Sequence, residues 1–65
     1  MDEKFLVGED GVYRVLYDGE TPVEMFRLSK SGEVSLPGTS FTEVEFKGMP
    51  VSKEEAERLV ASMPS

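Results

Sequence analysis

The chain contains no cysteine and no histidine. Without cysteine there is no disulfide to staple a small fold and no thiolate nucleophile. With histidine absent as well, the usual zinc-ligand sets and the Ser-His or Cys-His pairs of nucleophilic catalysis are missing. Basic residues are scarce: seven Lys and Arg stand against thirteen Asp and Glu, a formal charge of −6. Binding to duplex nucleic acid or an anionic membrane depends on clustered Lys and Arg, so this balance argues against both. Long apolar runs are missing too. No stretch approaches the ~20 apolar residues of a membrane helix, and Met1 to Gly8 has neither the basic nor the apolar segment of a signal peptide. A soluble chain in a reducing cytoplasm is expected, with no cofactor and no metal.

Glycine is present but dispersed. Gly8, Gly11, Gly19, Gly32, Gly38 and Gly48 each sit in a turn-like context, and none belongs to a phosphate-binding loop. The acidic turns Gly8-Glu9-Asp10-Gly11 and Asp18-Gly19-Glu20 lack the spaced oxygens of a calcium loop. Glu43 and Glu45, two apart in an alternating run, read as an outward polar face rather than an acid/base pair. Arg14, Arg27, Lys30 and Lys47, near Tyr13 and Tyr17, form at most a modest basic patch. An RNA-binding sheet would need a denser run of aromatic and basic residues.

The chain does hold one well-marked helix, over residues 52–63. Ser52 and Glu55 form a capping box, and Glu54 and Glu55 sit at the positive end of the helix dipole. Ala56, Leu59, Val60 and Met63 follow the i, i+3, i+4, i+7 spacing of one apolar stripe. Glu54 and Arg58 are spaced for an i,i+4 ion pair, and Pro64 ends the element. About three turns of helix are marginal alone in water, so this one must dock.

Before it, β-branched and aromatic residues alternate between turn signals. Strands are expected at about 4–7, 12–17, 23–28, 33–36 and 41–47, all within a single domain, residues 1–65. Asp18-Gly19 suits a type I′ hairpin, and Gly32 suits a left-handed bulge position. Short connections make neighbouring strands antiparallel. The fold class is therefore α+β: a five-stranded antiparallel β-meander with one C-terminal α-helix packed on one face. A small SH3-like β-barrel with a C-terminal helix is the alternative.

Pairing Leu28 with Val34 and Phe26 with Leu36 puts these four on the face that carries Tyr13, Val15 and Tyr17. The helix covers that face. The other face then exposes Val12, Leu16, Val23 and Met25 beside Arg14 and Arg27, unless a bulge at Pro22 shifts the register. These six residues are the expected interaction surface. The functional expectation is a non-catalytic protein-interaction module, a homodimer associating through a sheet face or edge. A small acidic inhibitor that mimics nucleic-acid phosphates is the alternative. The two differ in whether the carboxylates form one ridge or scatter.

Overall fold

Strand β1 (Asp2–Gly8) turns directly into β2 (Gly11–Asp18), β3 (Thr21–Ser29) and β4 (Gly32–Ser35). The computed structural model describes residues 2–9, 11–38 and 41–63. The side chains of Glu43, Glu45 and Phe46 fall outside that description. So do Asp10 of the first acidic turn and Pro64, the expected helix stop. The chain continues through α1 (Phe41–Lys47), β5 (Met49–Val51) and α2 (Lys53–Ala61). The five strands form one antiparallel sheet in the order β4-β3-β2-β1-β5. The first four make the meander, and β5 returns to the far side of β1. The sheet is open rather than closed into a barrel, and the fold is α+β.

Residues 41–47, expected as the fifth strand, are a helix, and the fifth strand is Met49–Val51 instead. The alternation of Phe41 to Phe46 contained a second spacing. Phe41 and Val44 are three apart, and both pack against the cluster of Leu6, Tyr13, Val15, Tyr17 and Met25. A strand would have sent these two side chains to opposite faces. The helix presents both to the same core. It is tied off where the Gly48 N–H donates to the Val44 carbonyl at 2.7 Å. A Cβ on Gly48 would lie 2.7 Å from that same oxygen and 3.0 Å from Leu6 Cβ. Only glycine permits so close a return of the chain.

The C-terminal helix has the expected cap and stripe. The Glu55 N–H donates to Ser52 Oγ at 3.1 Å. Leu59, Val60 and Met63 pack with the buried Ala56. Arg58 pairs with Glu55 at 3.2 Å, one residue nearer than the expected Glu54. The face it covers is the opposite of the expected one. The stripe lies on Phe5 and Val12, with Val7, Leu28 and Val51 around them, while α1 serves the tyrosine face. No helix among the described residues is long and apolar enough to cross a membrane.

Register explains the exchange of faces. Phe26 pairs with Arg14 and Leu28 with Val12, so both belong to the Val12 face. Val34 pairs with Arg27 rather than Leu28, and Ser35 rather than Leu36 pairs with Phe26. A bulge stands between Leu16 and Tyr17: Leu16 faces Glu24 while Tyr17 faces Pro22, which leaves Val23 as the extra residue. One inserted residue reverses which side of the sheet each following side chain meets. The hairpin beyond it also differs from a type I′ turn. Asp18 and Thr21 flank the loop Gly19-Glu20, and only Gly19 has positive φ (65°), the type II′ pattern.

Candidate functional site

The six residues expected to form one apolar interaction face are divided by the sheet. Val12 is 2% exposed beneath α2, and Met25 is 1% exposed in the cluster of Val15 and Tyr17 on the other side. Arg14 and Leu16 lie on the Val12 face beyond the reach of the α2 stripe, and Arg27 lies on the tyrosine face. Val23 occupies the bulge, 39% exposed. Only Arg14 and Leu16 of the six remain neighbours on one accessible face. The expected patch dissolves for two physical reasons: the bulge at Val23 puts Met25 and Arg27 on the face opposite Val12, and each side of the sheet has its own helix, where one was expected.

Arg14 organises what remains of the Val12 face. Its Nε donates to Glu3 on β1 at 2.5 Å, and its Nη1 donates to Glu33 on β4 at 3.0 Å. The guanidinium spans β3 to do so, lying 5.4 Å from the centroid of Phe26. The hydrogen bond to Glu3 is the main reason that Arg14 is held still more firmly protonated, and Glu33 adds to it. All three groups are partly solvated, so the network adds little to stability. On the tyrosine face, the Lys4 ammonium sits 4.9 Å from the Tyr17 ring centroid. Among the described residues, no polar or charged residue is buried, and no three acidic side chains gather where a metal ion would fit.

The two edges of the sheet present the clearer chemistry. The Leu36 N–H donates to the Met25 carbonyl at 2.9 Å. Main-chain groups alternate in direction along an antiparallel strand, so Val34 also turns its N–H and C=O toward β3. Glu33 and Ser35 turn theirs outward. All four residues of β4 are exposed, and Val34 is 58% exposed. Among the described residues, no strand lies beyond this short edge.

The same alternation, carried across the pairs Phe26–Arg14, Tyr13–Leu6 and Leu6–Pro50, turns the Pro50 nitrogen outward on β5. Proline has no N–H to offer there. The β5 edge also runs straight into the Ser52 cap of α2. A shallow groove of about 460 Å³ lies beside it, lined by Glu3, Lys4, Phe5, Pro50, Val51, Ser52 and Lys53. The residues that sequence reasoning missed are Glu33, Val34 and Ser35. They lie in a four-residue run between Gly32 and Pro37, which the pairing of the whole sheet leaves at its edge. No protein-family model, no curated protein and no solved structure matches the chain.

Proposed function

We propose that the chain is a non-catalytic protein-interaction module of the cytoplasm that self-associates through the bare edge of β4. The observation that carries this reading is the contrast between the sheet's two edges: β5 has lost a donor at Pro50, whereas β4 keeps outward N–H and C=O groups at Glu33 and Ser35. An exposed edge of this kind templates the addition of another strand, with main-chain hydrogen bonds supplying the affinity. It replaces the apolar face of Val12, Leu16, Val23 and Met25 as the surface of association. Among the described residues, the carboxylates distribute over the hairpin turns, both faces of the sheet and α2, and two of them flank Arg14. That scatter favours solubilising charge over a phosphate-like ridge.

The test is sedimentation equilibrium from micromolar to millimolar concentration, on the native chain and on Ser35→Pro. Ser35 directs its N–H away from β3, so proline there removes an edge donor and leaves the β3–β4 ladder intact. Concentration-dependent dimerisation of the native chain, lost in Ser35→Pro with an unchanged circular dichroism spectrum, supports the reading. A native chain that stays monomeric throughout overturns it.

A further inference from the structure

We infer, building on the self-association proposed above, that the partner strand is β4 of a second copy, antiparallel and centred on Val34, so that the dimer is one continuous sheet. A two-fold axis perpendicular to a sheet pairs each residue with one whose side chain lies on the same face. The axis must therefore pass through a residue rather than between two. β4 and its extension offer three such centres: Glu33, Val34 and Ser35.

Centring on Glu33 sets two like charges directly opposite each other, which is unfavourable. Centring on Ser35 sets Glu33 opposite Pro37 at a position where the partner must donate an N–H, and Pro37 has none. Centring on Val34 avoids both faults. Glu33 faces Ser35 of the second copy, and Ser35 faces Glu33. These are the two residues whose main-chain groups point outward, so four inter-chain hydrogen bonds form.

Val34 then meets its own counterpart in a non-hydrogen-bonded pair. This agrees with its N–H and C=O being turned inward to Arg27. The two exposed valines cover each other on the tyrosine face. β-Branched residues pack well in such cross-strand pairs. On the other face, the Glu33 carboxylate is already held by Arg14 at 3.0 Å, which lessens repulsion across the seam. The chain's formal charge of −6 still opposes association over longer range, so added salt strengthens the dimer.

The absence of cysteine makes the register directly testable. In a non-hydrogen-bonded antiparallel pair the Cα atoms stand about 4.5 Å apart, inside the disulfide range of about 4.4–6.8 Å. Val34→Cys is compared under oxidised glutathione with Met49→Cys, which is more exposed but lies on the opposite edge. The Val34→Cys chain forms linked dimer at least about tenfold faster, because only its thiols meet in position for the bond. Sedimentation of the native chain runs alongside. A native dimer in which Val34→Cys links no faster than Met49→Cys overturns this register and leaves edge association standing. A monomeric native chain, with equal and slow linking of both variants, overturns the register and the association together.

Discussion

The sheet's two edges come from the same short chain and solve the problem of an exposed strand differently. On β5, three residues suffice because Pro50 turns a blank nitrogen to solvent and the capped helix α2 follows at once. On β4, four residues end at Leu36-Pro37, and the main-chain groups of Glu33 and Ser35 point away from β3. The β5 side is also the better packed: Phe5 pairs with Val51 under α2, and Leu6 meets Gly48 across the sheet. Among the described residues, β4 is tied by Glu33 to Arg14 and by the Ser29 hydroxyl to the Gly32 carbonyl at the turn.

That contrast predicts where substitutions hurt. Phe5→Ala should have the largest effect. Phe5 lies between β5 and α2 with only 9% exposure, and its truncation is expected to lower stability by about 3–5 kcal/mol in urea denaturation. A smaller loss would mean that α2 can slide into the space. Gly48→Ala comes next, at about 1–3 kcal/mol, because the new methyl meets the Val44 carbonyl and Leu6. Its melting curve tests whether the return from α1 into β5 is as tight as the geometry says.

Ser52→Ala should remove about 1 kcal/mol, since the Glu55 N–H loses its acceptor. The loss should appear in thermal unfolding with little change in helical signal at low temperature. Pro50→Val sharpens the comparison with almost no effect on the monomer, within about 0.5 kcal/mol. It restores an outward N–H to β5, and sedimentation should then show species larger than a dimer as both edges become competent. If Pro50→Val sediments like the native chain, proline is not what blunts that edge.

Much of this architecture was readable from local pattern. The four-strand meander follows from turn residues set between β-branched runs, and the second helix from Ser52, Glu55 and the stripe that ends at Met63. The identity of residues 41–47 was not, because a seven-residue run containing Phe41, Val44 and Phe46 satisfies a strand pattern nearly as well as a helical one. What decided it was the tyrosine face, which required a cover once α2 lay on the other side. The proposed site was hidden for a related reason. Whether an edge is bare depends on the direction of its main-chain groups, and that direction follows from pairing across the whole sheet.

The residues alone determined where the chain turns, which stretches extend and where the last helix begins, because capping, backbone preference and side-chain period act over a few neighbours. Tertiary structure decided which face each helix covers and, through the single extra residue at Val23, which side chains of β3 join each face. It also decided which edge stays open. Side-chain direction in a sheet has a period of two, so a shift of one residue, invisible locally, exchanges inside for outside along the rest of the strand.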